Sequence, residues 1–299
     1  MEKNNEQIAM KVSFNTIIGC TILAGIKLFA GFFANSSALI SDAIHTLSDV
    51  FSTFIVMIGV KLAAKKADKD HPYGHDRFEC VAALILAIIL LSTGLGIGWA
   101  GLQKVFEELS DEFLISELPI PGVLALAAAV LSIIVKEAMY WYKRNAAIKI
   151  DSAALMADAW HHRSDALSSI GGFLGILGAR LGFPILDPVA SIVICFFIIK
   201  VAVDIFRDAI GKMTDKAADD QIEREMRKLV LEQESVIEID LLRTRLFGNR
   251  IFVDIEISVD GTKALNEVHD TAQHIHDLIE KNFPKVKHCT VHVNPGSIL

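Results

Sequence analysis

Two stretches of the chain carry nearly the same polar residues. Ser41-Asp42-Ala43-Ile44-His45-Thr46-Leu47-Ser48-Asp49 and Ala157-Asp158-Ala159-Trp160-His161-His162-Arg163-Ser164-Asp165 share the pattern D-A-x-H-x-x-S-D. Residues three and four apart stack on one side of a helix, so each Asp, His, Asp triad falls within an arc of roughly 60°. Facing each other, His45, Asp49, His161 and Asp165 supply two imidazole nitrogens and two carboxylate oxygens, a set and number suited to tetrahedral Zn²⁺. None is a thiolate, so Mn²⁺, Fe²⁺, Co²⁺ and Cd²⁺ also fit the donors. Both stretches lie in apolar runs, where a charge costs about 2.5 kcal/mol or more unless it faces a cavity, a partner or an ion. A single such pair would read as an ion pair or hydrogen-bond network tying helices together. The duplicated triad, with Arg163 as the only base near it, reads as the shell of an ion. Asp42 and Asp158 are either fifth ligands, groups that orient a ligand histidine from behind, or the lining of a watery entrance; the last two are preferred.

A second cluster runs from Asp68 to Glu79. Asp68, His71 and His75 would ligate a cation at the membrane surface, with Pro72 and Gly74 making the tight turn that brings the imidazoles together. The alternative is a solvated polar loop.

The elements that must position these residues follow from charge segregation. At 52% hydrophobic and mean hydropathy +0.43, the chain is too apolar for a soluble domain, yet 22% of it is charged. Apolar runs at roughly 12–34, 37–63, 80–105, 119–142, 152–181 and 185–206 are each long enough to cross a bilayer. The first lacks the cleavage site of a signal peptide and reads as a retained helix. The connection from Glu107 to Glu117 is acidic, whereas Lys61, Lys65, Lys66, Lys143, Arg144 and Lys149 flank the opposite ends. By the bias of Lys and Arg toward cytoplasmic loops, both termini are expected in the cytoplasm. Gly94, Gly96 and Gly98, and Gly171, Gly172, Gly175 and Gly178, read as close-packing positions more than as hinges. From about Ala217 a charged amphipathic helix, two alternating segments joined at Gly248-Asn249, another helix and a last strand give an α-β-β-α-β order. The expected architecture is therefore a six-helix transmembrane domain, residues 1–208, followed by a small α+β domain, residues 209–299, with helices on one face of a sheet.

Several classes drop out. A net charge of −7 does not suit a nucleic-acid partner. Cys20, Cys80, Cys195 and Cys289 are scattered, which predicts neither a disulfide framework nor a thiolate cluster. The H-E-x-x-H string of a metalloprotease and the phosphate loop of an ATPase are both missing, and four protein ligands would leave no open catalytic position.

These residues resemble the cation diffusion facilitator family of zinc, iron and manganese exporters, through the six spans, the repeated H-x-x-x-D, the segment from His71 to Glu79 and the terminal domain. The resemblance implies a homodimer in the inner membrane that exports a divalent cation in exchange for protons, with a ferredoxin-like cytoplasmic domain. It places the transport site on His45, Asp49, His161 and Asp165 and the loop site on Asp68, His71 and His75. Bacterial members often carry Asp where His45 stands, and eukaryotic zinc transporters carry His, which tilts the expectation toward Zn²⁺. An interdomain charge lock would fall on Arg77 and Asp215. The cytoplasmic metal site of the family would fall on Asp240, Glu256, His269, His292 and Asn294. Only His269 and His292 of these are histidine, so a weaker or single-metal site is expected. A metal sensor or scaffold on the same fold is the remaining alternative, although it would be expected to have lost membrane ligands that are all present here.

Overall fold

The computed structural model describes residues 2–33, 37–109, 123–180 and 186–296. The acidic connection around Asp111 and the short ones around Asn35 and Gly182 lie outside them. The chain divides into two compact units, Met1–Ala209 and Ile210–Leu299.

The first unit is built of six long helices: α1 (Glu2–Phe33), α2 (Ser37–Ala63), α3 (Arg77–Leu109), α4 (Val123–Ile150), α5 (Ala153–Arg180) and α6 (Leu186–Met213). The shortest has 27 residues, roughly 40 Å at 1.5 Å per residue, which exceeds a hydrocarbon core of about 30 Å. Among the described residues, Asn4–Ala30, Ala43–Ala63 and Arg77–Gln103 are long and apolar enough to span a membrane. Side chains are sorted the way a lipid surround requires. Phe14, Ile22, Phe51, Ile58, Trp99 and Phe196 are exposed, while Lys27, Asp49, Lys136, Lys143, Asp158, His161, His162 and Asp165 are buried. Hydropathy marks where a helix is apolar and not where it begins or ends. Hence α1 starts some ten residues before the first apolar run, and α4 continues through Lys143 to Ile150.

The link between α4 and α5 is only Asp151 and Ser152. Asp151 takes φ 55, a left-handed conformation that Asp tolerates better than most residues, and Ser152 Oγ caps α5 by accepting from Leu155 N at 3.1 Å. Where glycine allows close approach, it does so position by position. A Cβ at Gly94 would lie 3.0 Å from Ile198 and one at Gly98 would run into Cys195, both on α6, whereas one at Gly96 meets open space.

The second unit follows the order α7 (Asp220–Leu231), β1 (Glu238–Phe247), β2 (Arg250–Asp260), α8 (Leu265–Asn282) and β3 (Val286–Gly296). Asp219 caps α7 through Gln221 N at 2.9 Å. β1 and β2 form a hairpin turning at Gly248, whose φ of 64 costs a glycine nothing. β3 joins β2 in parallel, the pairing that needs a helical crossover, supplied by α8. Met226 and Val230 of α7 and Ile275 and Ile279 of α8 pack on Ile251, Val253, Ile255 and Ile257, alternate residues of β2. Both helices thus cover one face of the sheet, and burial of each such side chain contributes roughly 1.5–3 kcal/mol. A bulge between Ile239 and Leu241 leaves Asp240 out of the register.

Candidate metal centre

α2 and α5 bring His45 to Asp165 and His161 to Asp49, crossing their partners, and His161 is not in the group of three that could share one ion. His45 Nε2 lies 3.6 Å from Asp165 Oδ1, and His161 Nε2 lies 3.6 Å from Asp49 Oδ1, so each helix's histidine meets the other helix's aspartate. With metal bonds of 2.0–2.1 Å, adjacent donors on a tetrahedron stand about 3.3–3.4 Å apart, within a few tenths of an ångström of these separations. His45, Asp49 and Asp165 offer atoms within 4.8 Å of one another. Asp49, His161 and Asp165 are buried and His45 is exposed, so the cluster has a closed side and an open side.

Between the carboxylates stands a group that the sequence reading missed. Lys136 of α4 places Nζ 3.0 Å from Asp165 Oδ2 and 3.1 Å from Asp49 Oδ2, and its side chain is only 2% exposed. Two turns further along the same face of α4, Lys143 is fully buried and its ammonium uses three donors, on Asp158 Oδ2, on Thr53 Oγ1 at 3.0 Å and on His162 Nε2 at 2.8 Å. Ser52 Oγ lies 3.2 Å from the same Asp158. A third buried lysine, Lys27 of α1, donates to Thr46 Oγ1 at 2.9 Å. The expectation that Arg163 is the only base near the site is therefore overturned. Arg163 lies over the Tyr140 ring at 4.3 Å and 3.6 Å from Glu137, directed away from the triads, while the bases that reach them come from α4. Lys143 also leaves the set of flanking positive charges. The signal was there as Lys136 and Lys143 seven residues apart, which share one face of a helix. What they face required α2 and α5 in place.

Asp158 serves Lys143, Ser52 and Thr53 in this arrangement instead of orienting a ligand histidine. The Asp42 side chain lies outside the described ones. In the loop before α3, Asp68 Oδ1 is 3.7 Å from His71 Nδ1, Asp68 Oδ2 is 3.5 Å from His75 Nε2, and the two imidazoles are 4.5 Å apart between centroids. His75 is buried and its Nδ1 has no hydrogen-bond partner. Lys65 competes here as Lys136 does above, 2.6 Å from Asp68 Oδ2. That bond, with the His71 backbone N–H, holds the Asp68 carboxyl well below the usual carboxylate range. Arg77 opens α3, and Asp215 follows α6 with φ 58.

In the second unit Glu256 and His292 are partners across β2 and β3, and Asp240 accepts from Ser258 Oγ at 2.9 Å and Asn294 Nδ2 at 2.9 Å. His269 is exposed on the second turn of α8. Three groups of His and carboxylate donors lie within reach of one ion among the described residues, and none contains Asp240, Glu256, His269 or His292. The third group is His276, Glu280 and His288, from the end of α8 and the start of β3.

Residues 13–213 match the family model of the cation efflux transmembrane domain, and residues 218–296 that of the cation efflux protein cytoplasmic domain. The chain is 34% identical over 278 residues to metal tolerance protein C1 of Arabidopsis thaliana, covering 90% of this chain and 59% of that longer protein. It is 34% identical over 279 residues to an uncharacterized transporter of Methanocaldococcus jannaschii, covering 93% and 95%. It is 28% identical over 302 residues to the manganese efflux system protein MneP of Bacillus subtilis, covering 99% of each. Among solved structures, a nickel form of a MamM CTD variant aligns with 26% of this chain and all of its own length at 14% identity and TM-score 0.26, a likeness too slight to add to the assignment. Both units being matched in order, the chain belongs to the cation efflux family, the cation diffusion facilitators, a family of transporters.

Proposed function

We propose that this membrane protein exports divalent metal cations, Zn²⁺ foremost, from the cytoplasm in exchange for protons. It works as a homodimer in the plasma (inner) membrane, with both termini in the cytoplasm. The observation that carries this reading is the crossed pairing of His45, Asp49, His161 and Asp165 around a buried ammonium. Lys136 stands on the same two carboxylates that a metal needs, so a dication enters by displacing it, and the ammonium returns when the metal leaves. The carboxylates are then never left bare in a dry environment, where unpaired charge is costly. Metal binds neutral imidazole, so protons reaching His45 and His161 from the far side expel it, and an inward proton gradient drives the cycle without ATP.

The loop site on Asp68, His71 and His75 captures the ion at the surface. Manganese is the second reading of the ion, favoured by the relative named for manganese efflux; an iron exporter of the same mechanism is a variant of it. Reconstituted vesicles with an imposed pH gradient separate these. Gradient-dependent Zn²⁺ uptake that disappears in Asp49→Ala and in Asp165→Ala is the expected result. Uptake of Mn²⁺ alone would overturn the ion, and no uptake of either would overturn the transporter.

A further inference from the structure

The last turns of α8 and the start of β3 bring His276, Glu280 and His288 together on the surface of the second unit, outside the sites considered so far. His276 and Glu280 are four apart on α8 and share a face. His276 Nε2 lies 3.2 Å from Glu280 Oε1, and His288 Nδ1 lies 3.3 Å from the same oxygen. These separations match the roughly 3.3 Å between neighbouring donors of a tetrahedral ion with 2.0–2.1 Å bonds.

The orientation is built in. His276 Nδ1 stands 2.6 Å from the backbone carbonyl of Cys289. A carbonyl can only accept, so Nδ1 carries the hydrogen. In the neutral ring Nε2 is then a bare lone pair aimed at a carboxylate oxygen, and a proton or a metal ion between them turns that contact into an attraction. A ring N–H held by a backbone carbonyl is the usual support behind a metal-bound histidine. Glu280 is itself held, its Oε1 accepting from Cys289 N at 3.2 Å. Cys289 serves the cluster through its backbone, its carbonyl holding His276 and its N–H holding Glu280. Asp277 Oδ1, 4.0 Å from His276 Nε2, stands ready beside it.

We infer that His276, Glu280 and His288 form a metal site for a borderline first-row divalent cation such as Zn²⁺ or Co²⁺, completed by water. Two imidazoles and one carboxylate favour such ions over Mg²⁺ and Ca²⁺. An ion there ties α8 to β3, the edge strand of the sheet.

The test uses the full chain in detergent and the acylation of histidine by diethylpyrocarbonate, read peptide by peptide with and without Zn²⁺. His288 is exposed and reacts freely without metal. Zn²⁺ is expected to protect it roughly tenfold, and Glu280→Gln or His276→Gln to weaken that protection by a similar factor. His274, which pairs with Gln233, reports non-specific effects and keeps its reactivity throughout. No protection of His288, protection equal to that of His274, or protection unchanged in both variants would overturn the site. The readout is local, so it stands or falls separately from metal flux.

Discussion

The two units invert each other. Among the described residues, the first buries three lysines, three aspartates, one glutamate and three histidines while phenylalanine and isoleucine face outward; in the second, α7 and α8 bury isoleucine, valine and methionine against β2 and leave histidine and carboxylate groups at the surface. The difference teaches where chemistry is tied to the fold. In the membrane unit charged residues share the interior with apolar ones such as Val56, Leu86 and Leu155, and Lys136 and Lys143 are held there by Asp49, Asp165 and Asp158. In the soluble unit the donors ride on a core that does not need them.

The most severe way to break this contrast is to remove one membrane carboxylate. Asp49→Ala or Asp165→Ala is expected to lower Zn²⁺ flux at least about 100-fold, and to cost about 3–5 kcal/mol because Lys136 loses half of its compensation. Vesicle uptake and thermal unfolding in detergent measure the two effects. Lys136→Met cuts the other way. It is expected to destabilise the metal-free protein by about 3–5 kcal/mol but to bind Zn²⁺ more tightly, so that Zn²⁺ raises its melting temperature more than it raises that of the wild type. Equal or weaker binding would show that the ammonium does not stand in the metal's place. In the second unit, Ile255→Ala is expected to cost about 2–5 kcal/mol with no dependence on metal, as calorimetry with and without Zn²⁺ would show.

The smallest effect is in the loop. Asp68 has a depressed folded-state pKa, so its contribution is present above the unfolded value near pH 4 and fades as pH falls through the lower folded value. The difference in melting temperature between wild type and Asp68→Asn should be present at neutral pH and shrink below about pH 4. A difference that did not shrink below about pH 4 would mean that Lys65 and the His71 backbone N–H do not hold the Asp68 carboxylate in solution.

The sequence displays the proposed ligands His45, Asp49, His161 and Asp165 because a helix repeats its face every three to four residues, so a doubled His and Asp pattern stands out in apolar surroundings. The soluble domain was legible for a similar reason: β2 alternates, α8 is amphipathic, and glycine marks the hairpin. Lys136 and Lys143 were hidden because a lysine in an apolar run reads alike whether its tip reaches the interface or points inward. Only packing against Asp49, Asp158 and Asp165 decides that. His276 and His288 were hidden because α8 and β3 must be folded to bring them together, and the bulge beside Asp240 is a property of register, which one strand cannot show.

The two-residue link at Asp151 and Ser152 has a kinematic consequence. It leaves α4 and α5 little room to slide past each other, so Lys136, His161 and Asp165 travel as the furniture of one lever. The opposing jaw is α2, with His45 and Asp49. Were the jaws to part, the proposed metal site would divide into halves, and the lever half would keep its own counter-charge in Lys136, so Asp165 would not be left bare.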